Sequence, residues 1–140
     1  MRKFKLQTEV QKAKQAKSVL IVGGGIVGVE VAAELADGMQ ERNQRIGIVS
    51  RPRVLLPDMP PRAQNLALVH LNNKGIELYL GVTYNDEFKR ENNFEHVIMC
   101  TGFKVNTSFM RDEFKECIDE ESGKIQVNKK MQVINKNPVY

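Results

Sequence analysis

Three glycines early in the chain have the spacing of a phosphate-binding turn. Residues 23–28 read Gly-Gly-Gly-Ile-Val-Gly and match G-x-G-x-x-G. In this pattern the first glycine permits a tight turn, the second lets the backbone approach a pyrophosphate, and the third lets a helix pack closely. An apolar run precedes the motif and a helical pattern follows it, as a dinucleotide fingerprint requires. The alternative is a strand–turn–helix corner that binds nothing.

The residues that would choose between NADH and NADPH follow the second predicted strand. An NAD-selective site places a carboxylate there for the ribose 2′-hydroxyl, whereas arginine suits a 2′-phosphate. No acidic residue occurs between Glu41 and Asp58, and this stretch contains Ser50, Arg51 and Arg53. These three residues favour NADPH, or tolerance of both cofactors. Two arginines that only contact solvent in a loop are equally compatible with the sequence.

No other residue pattern indicates a catalytic or metal site. Cys100 and Cys117 have no C-x-x-C partner, and so few cysteines fit a reducing compartment. Neither His70 nor His96 has a second ligand at metal spacing. The spacings support no Ser-His-Asp set and no carboxylate pair. We therefore predict no catalytic residue and no metal ligand in this chain.

The elements around the glycines alternate between strand and helix. Residues 18–22 form a continuous aliphatic run, which is typical of a strand buried on both faces of a parallel sheet. The predicted class is α/β, a Rossmann-like parallel sheet with flanking helices in three layers. On the helix near 26–37, we expect Val27, Val31 and Leu35 to face the core, with Ala32, Ala33 and Ala36 filling beside them. On the helix near 62–73, we expect Leu66 and Val69 to face it. The further strands are expected near 45–49, 76–80 and 97–100, and the helices near 4–16, 26–37, 62–73 and 111–119.

Two segments give weaker signals. Residues 81–93 are polar and have no clear period, and residues 125–127 and 131–134 form a candidate strand pair. The predicted division is a basic lead-in helix over 1–16, a nucleotide-binding domain over 17–104 and a tail over 105–140.

Charge and length exclude several classes of function. The 140 residues carry a net charge of +4, but six bases and one acid lie within residues 1–17. Because the remaining body is close to neutral, nucleic acid is not a predicted partner. The first segment is read as a surface helix in preference to a mitochondrial presequence, because it is not serine-rich. No apolar stretch is long enough to span a membrane.

Several segments together resemble one family. These segments are Lys17–Ala36, Val97–Gly102, Gly123–Val127, Met131–Val133 and Pro138–Tyr140. They are similar to the NAD(P)H-binding domain of the pyridine nucleotide-disulfide oxidoreductase superfamily. Within it they look most like the disulfide-free branch of apoptosis-inducing-factor-like enzymes, ferroptosis-suppressor quinone reductases and type II NADH dehydrogenases. In this branch an antiparallel β-excursion precedes the last strand, and residues 81–93 are too few for a full one.

The resemblance implies a role for each candidate residue. Hydride would pass from NAD(P)H to FAD and then to a quinone at a membrane surface, and the cofactor supplies the redox chemistry. Glu30 would lie near the nicotinamide, Thr101 and Gly102 would line that side of the cleft, and Val82 would touch the adenine. The turn itself would hold the pyrophosphate with Gly23, Gly24, Gly25, Ile26, Val27 and Gly28.

The family's FAD-domain halves do not occur within these 140 residues. We therefore expect an NAD(P)H-binding domain, a fragment or split part of an FAD-dependent oxidoreductase, that is inactive alone. FAD would be held by the missing halves or by a partner that covers residues 125–140. The alternative is a non-catalytic structural subunit of a larger, mitochondrial complex. Either a mitochondrial or a cytoplasmic location fits the composition, and association with a membrane surface is compatible with the family.

Overall fold

The central sheet of the protein consists of four parallel strands in the order β3-β2-β1-β4. The computed structural model describes residues 2–38, 44–103, 105–110 and 114–134. The chain divides into two compact units, Met1–Gly102 and Phe103–Tyr140. All four strands belong to the first unit. The predicted α/β parallel sheet with flanking helices is confirmed.

The strands and helices alternate along the first unit as the sequence predicts. The strands are β1 (Ser18–Val22), β2 (Arg45–Ser50), β3 (Glu77–Leu80) and β4 (His96–Met99). The helices are α1 (Arg2–Gln15), α2 (Ile26–Gly38), α3 (Pro61–Asn73) and α4 (Asp86–Glu91). No helix among the described residues is long and apolar enough to cross a membrane.

Every residue of β1 is buried, because helices and loops cover both faces of the sheet. Val19 and Ile21 point into one apolar cluster, which also contains Ala32 of α2 and Leu71 of α3. The intervening residue Leu20 belongs to a second cluster on the other face. The side chains of this aliphatic run therefore pack into apolar clusters on both faces of the sheet, which explains why apolar and polar residues do not alternate along the strand. Helices α2 and α3, the sheet, and the segment containing α4 form the three predicted layers.

The predicted buried faces of α2 and α3 are wrong in part. The small residues Gly28, Ala32 and Ala36 form the buried stripe of α2, while Val27 is 59% exposed. On α3, Leu66 and Val69 are exposed, and Leu71 is buried. Small side chains at this spacing let α2 approach the sheet closely, so its larger residues lie at the margins.

Residues 81–93 contain a helix that the periodicity does not predict. The α4 helix begins after Asn85, whose side-chain oxygen accepts a hydrogen bond from Phe88 N at 2.7 Å. Phe88 and the buried Phe94 pack against the second cluster. The ring of Phe94 lies over Gly47, where an added Cβ would be 2.6 Å from its Cζ. The segment therefore covers the second face of the sheet.

An ion pair joins β2 and β3 at the edge of the second cluster. Arg45 Nε donates to Glu77 Oε1 at 2.7 Å, and Arg45 Nη2 donates to Glu77 Oε2 at the same distance. Tyr79 Oη also donates to Glu77 Oε2 at 2.6 Å. The hydrogen bond from Arg45 lowers the pKa of Glu77, and burial opposes this effect. The guanidinium lies 4.2 Å from the centre of the Phe94 ring.

The lead-in helix α1 is anchored at its C-terminal end. Ala13 is buried, and its carbonyl accepts a hydrogen bond from Gln44 Nε2 at 2.8 Å. Lys17 N donates to Glu95 Oε2 at 2.7 Å, which ties the start of β1 to the segment before β4. This helix, Arg2–Gln15, lies where the sequence predicts a helix near 4–16.

The second unit contains short elements. Among its described residues, 3₁₀ turns occupy Ser108–Met110 and Lys115–Cys117, and antiparallel bridges join Ile118 to Ile125 and Val127 to Val133. The bridge at Val127 confirms the predicted pairing of these two segments. Of the helix predicted over 111–119, residue 114 is helical, residues 115–117 form a 3₁₀ turn, and residues 118 and 119 are not helical. Residues 111–113 lie outside the described part. Residues 138–140, which carry part of the family resemblance, also lie outside it.

Candidate functional site

The predicted cofactor residues gather at one edge of the sheet, because the carboxyl ends of its parallel strands meet there. The glycine turn follows β1, Ser50 ends β2, Val82 follows β3 and Thr101 follows β4. In open α/β sheets, ligands bind outside the carboxyl ends of the strands. All of these residues lie in the first unit.

Gly23 makes the turn off β1 and cannot be replaced by a residue with a side chain without strain. Its φ is +118°, which is outside the usual range of L-residues. An added Cβ would overlap the Cys100 carbonyl oxygen and lie 2.9 Å from its carbon. The amide of Gly23 donates to Val49 O at 2.8 Å, so the turn is joined to β2.

Gly24 is buried, and its two backbone polar groups bond to the last residue of β2 and to the loop that follows it. Its amide donates to Ser50 Oγ at 3.2 Å, and its carbonyl accepts from Leu56 N at 2.8 Å. Ser50 is itself only 4% exposed. Ser50 therefore stabilises the turn through its hydrogen bond to Gly24. A direct contact of Ser50 or Gly24 with a cofactor stays a prediction.

Gly28 allows α2 to lie against the turn that precedes it. An added Cβ there would overlap the carbonyl oxygen of Gly23 and come within 3.5 Å of Ile21 Cγ2. The role predicted for the third glycine, close packing of helix against strand, matches this geometry.

Gly25 is the position where the turn opens outward. No heavy atom lies within 4 Å of the place where its Cβ would be, apart from its own chain neighbours. The α2 helix begins at Ile26, so the first amides after Gly25 have no partner within the helix. The side chains of Ile26 and Val27 are 52% and 59% exposed.

The electrostatics at this helix end favour an anion. The first turn of α2 has no acidic residue, in contrast to α4, which carries Asp86 and Glu87 there. The positive end of the α2 dipole is therefore not compensated locally. Free amides, open space above Gly25 and this field together fit the pyrophosphate of a dinucleotide.

The loops after β2 and β3 are joined to each other beside the turn. Gly81 N donates to Pro52 O and Val82 N donates to Ser50 O, both at 3.1 Å. Arg51 and Arg53 are exposed on this surface. Val82 is half-buried and packs against the second cluster, so only part of its side chain is open to a ligand.

The predicted nicotinamide side carries groups from α2 and from the end of β4. Glu30 is exposed one helical turn after Ile26, and Thr101 and Gly102 are exposed after β4. Met99, at the end of β4, is 59% exposed. Cys100 is half-buried, and burial raises the pKa of its thiol. Within the described ranges, no three His, Cys, Asp or Glu side chains lie together as metal ligands would.

Sequence reasoning missed three residues that shape this edge. Leu55 is buried against Gly24, and Leu56 adopts a positive φ of 52° while its amide bonds Gly24. No local signal marks either leucine. Gly81, with φ +78°, supports the Arg53 side chain, and a glycine directly after a strand could have indicated this turn.

Comparison with known proteins identifies the family. The family described as pyridine nucleotide-disulphide oxidoreductase matches residues 1–140. The chain belongs to the pyridine nucleotide-disulphide oxidoreductase family. The resemblance inferred from the glycine turn and the later segments is therefore confirmed at this level.

Several curated proteins of this oxidoreductase group are similar over most of the chain. An NADH oxidase of Enterococcus faecalis is 28% identical and matches 90% of the chain. Human ferroptosis suppressor protein 1 is 27% identical over 94% of it, and an apoptosis-inducing factor homolog B of Dictyostelium discoideum is 28% identical over 93%. The chain spans 30%, 39% and 41% of the lengths of these three proteins.

Solved oxidoreductase structures share the fold. The water-forming NADH oxidase from Lactobacillus brevis bound to NADH superposes with a TM-score of 0.62 at 19% identity. That match covers 76% of this chain and 26% of the oxidase. An engineered water-forming NADPH oxidase bound to NADPH gives a TM-score of 0.57 at 20% identity, covering 76% of this chain and 26% of that one.

Proposed function

We propose that the first unit binds NAD(P)H at the glycine turn and presents the nicotinamide to a flavin held outside residues 1–140. Membership of a pyridine nucleotide oxidoreductase family supports the nucleotide and the flavin. The chain accounts for well under half of each compared relative. The remainder of such an enzyme, or a separate partner, would supply the flavin site, so this chain alone should be inactive.

The observation that carries this proposal is the open space above Gly25 at the start of α2. Gly23 and Gly28 are sterically locked, and Gly24 is held on both sides, so the turn is rigid except where it faces outward. A preformed set of amides costs little reorganisation when it binds an anion. When bound, NAD(P)H would supply the hydride, and the chain would supply its position.

Different residues of the chain would contact different parts of the cofactor. Amides after Gly25 would hold the pyrophosphate, and Val82 would contact the adenine. Glu30, Thr101 and Gly102 would border the nicotinamide. We assign no proton transfer to any of them, because hydride transfer to a flavin requires position more than acid–base help from this domain.

We further propose that the site accepts NADPH, or both cofactors. The edge of β2 offers Arg51 and Arg53 and no carboxylate, which suits a 2′-phosphate. The NADPH oxidase compared above was engineered with substitutions that include Asp to Ala, Ala to Arg and Pro to Arg. Those substitutions remove one carboxylate and add two arginines, and the edge of β2 in this chain likewise has arginines and no carboxylate.

The proposed electron acceptor of the complete enzyme is a quinone at a membrane surface. This follows from the resemblance to quinone-reducing flavoproteins. Dioxygen is the competing acceptor, because a compared structure is a water-forming oxidase. Steady-state assays of the full-length enzyme with a short-chain ubiquinone, with and without oxygen, separate the two.

Direct titration tests the binding proposal. NADH and NADPH are titrated into the full chain and followed by the emission of the reduced nicotinamide, which is excited where protein does not absorb. We expect saturable binding of NADPH at micromolar to millimolar concentration and no oxidation of the cofactor. Absence of binding for both nucleotides at millimolar concentration would refute the proposed function.

A second candidate function is a non-catalytic structural subunit of a mitochondrial complex. Large apolar side chains of the second unit favour it, since Phe109 is 79% and Met131 is 78% exposed. Such residues commonly mark a surface that a partner covers. Co-elution of the native protein with a large assembly would support this function, and a free monomer in native extracts would contradict it.

A further inference from the structure

His96 carries a buried polar atom that the proposed nucleotide site does not use. It is the first residue of β4, so it lies at the amino edge of the parallel sheet, opposite the edge that carries the glycine turn. Its side chain is 16% exposed, and among the described residues its Nε2 atom has no hydrogen-bond partner. A buried polar atom without a partner costs free energy, so such atoms are uncommon in native proteins and often have a role.

A carboxylate from a different element faces this atom. Glu9 of α1 places Oε2 3.7 Å from His96 Nε2, while its other oxygen, Oε1, accepts a hydrogen bond from Lys12 Nζ at 2.9 Å. The separation of 3.7 Å is longer than a hydrogen bond. An imidazolium and a carboxylate nevertheless attract each other at this distance, so the contact gains strength when the histidine is protonated.

The groups around the imidazole leave Glu9 as its counter-ion. The hydrogen bond from Lys12 lowers the pKa of Glu9, so this carboxylate stays charged over the range in which histidine ordinarily titrates. The other acid close in sequence, Glu95, accepts a hydrogen bond from Lys17 N at 2.7 Å. On β1, the residue that pairs with the histidine is Val19, which carries no charge.

The contact lies in a part of α1 that precedes its other described attachments. Gln44 Nε2 donates to the carbonyls of the buried Ala13 and of Ala16, which fixes the C-terminal end of the helix. Val10, next to Glu9, is 44% exposed. Because Glu9 lies about one turn before Ala13, a bond from β4 to Glu9 extends the attachment of α1 by one turn toward its N-terminus.

We propose that His96 and Glu9 form a pH-dependent ion pair that attaches the middle of α1 to β4. As the pH falls, the imidazole takes a proton from solvent, and the imidazolium pairs with the carboxylate. As the pH rises, the proton returns to solvent, the attraction is lost, and the attachment at Ala13 and Ala16 stays. The segment held in this way belongs to the first 17 residues, which carry most of the basic excess of the chain. The inference does not depend on nucleotide binding.

Amide hydrogen exchange of the ¹⁵N-labelled full chain between pH 5.5 and pH 8 tests the pair. After correction for the intrinsic exchange rates, we expect the protection of amides 8–12 to rise by about 2- to 5-fold as the pH falls, a size typical of a partly exposed ion pair. The amides of α3 serve as the internal reference and should keep constant protection over this range.

Two variants that cannot titrate should remove the response. His96→Gln and Glu9→Gln keep a polar side chain but lose the charge, so protection of amides 8–12 should no longer depend on pH. The matched controls are His70→Gln on α3 and Glu34→Gln on α2, which replace exposed residues of the same types and should keep the full response. Lys12→Gln frees the carboxylate from a competing cation and should enlarge the response.

The decisive variant is Glu9→Gln, because its side chain lies on the surface and its replacement should not impair folding. A pH response of wild-type size in Glu9→Gln would overturn the proposal. So would a wild-type chain in which the protection of amides 8–12 is unchanged, or falls, on acidification. Loss of the response in Glu9→Gln, with the α3 amides unaffected, would support it even if His96→Gln proved too unstable to study.

Discussion

Replacement of Gly25 by alanine should separate cofactor affinity from stability. The added Cβ meets no heavy atom within 4 Å, and the backbone is not in the left-handed region. Reduced freedom of the unfolded chain favours alanine by about 0.4–1 kcal/mol. The preference of a helix N-cap for glycine over alanine opposes this by a similar amount, about 0.5–1 kcal/mol. The free energy of unfolding should therefore change by less than about 0.5 kcal/mol.

The effect on binding should be much larger. The methyl group would occupy the space through which a pyrophosphate approaches the amides after Gly25. Loss of one hydrogen bond to a charged group costs about 1.5–3 kcal/mol, which is about 10- to 150-fold in the dissociation constant. The magnitude assumes that a single amide contact is lost. Larger losses would indicate that the whole pyrophosphate is displaced.

Thermal melts by circular dichroism and NADPH titrations of the same samples measure both quantities. The melting temperature should stay within about 4 °C of the wild type, since about 0.5 kcal/mol corresponds to a few degrees. Gly38→Ala, at the other end of α2 and equally open, is the matched control and should keep wild-type affinity. Wild-type affinity of Gly25→Ala, with the fold intact, would refute the assignment of this turn to the cofactor.

Three further predictions concern the support of the site and the sheet. Gly28→Ala forces a Cβ into the Gly23 carbonyl, so it should lower the free energy of unfolding by about 1–3 kcal/mol and also weaken NADPH binding; urea denaturation that matches the wild type would contradict this. Ser50→Ala leaves the buried Gly24 amide unpaired and should cost about 1–3 kcal/mol in urea denaturation, whereas the exposed control Ser108→Ala should not. The hydrogen bond from Arg45 lowers the pKa of Glu77 in the folded state. The ion pair therefore stabilises the protein at any pH above the ordinary glutamate pKa of about 4.3, and this stabilisation is lost as the pH falls through the lower pKa of the folded state. Glu77→Gln should therefore be less stable than the wild type at pH 7 and show a smaller loss of stability on acidification to about pH 3; identical pH dependence of the two proteins would argue against the ion pair.

The sequence predicts the glycine turn and the first strand well, because local sterics determine both. An unbroken aliphatic run over 18–22 fits only a strand with two buried faces, and the glycines of 23–28 then leave few options for the chain. The structure shows why Gly23 and Gly24 are needed, because an added Cβ would meet Cys100 at the first position and Ser50 at the second. Those partners lie more than 25 residues away along the chain and cannot be inferred from spacing alone.

Helix faces were predicted less well, because apolar residues exceed the buried positions. On α3, Leu66, Val69 and Leu71 all lie in an apolar stretch, and the sheet covers only the last of them fully. On α2 the choice favours Ala32 and Ala36 over larger neighbours, since the helix packs close to the sheet. The periodicity of the apolar residues predicts an apolar stripe on each helix, but it does not determine which side of that stripe faces the sheet.

The α4 helix was missed because it is only six residues long and carries no apolar period. Its signals are capping signals, with Asn85 at the N-cap, two acids in the first turn and two bases in the last. The joining of the β2 and β3 loops through Gly81 was also missed. It depends on a backbone hydrogen bond to Pro52, and no pattern in either loop indicates that bond.

The measurement that tests the central claim most directly is a titration of the ¹⁵N-labelled chain with NADPH, followed by amide chemical shifts. We expect the amides of Gly25, Ile26 and Val27 to shift most. The Gly24 amide, already bonded to Ser50, should shift less, and α4 should not respond. Saturable binding of NADPH without a chemical-shift change in the amides of this turn would contradict binding at Gly25. So would the absence of any amide shift at millimolar NADPH.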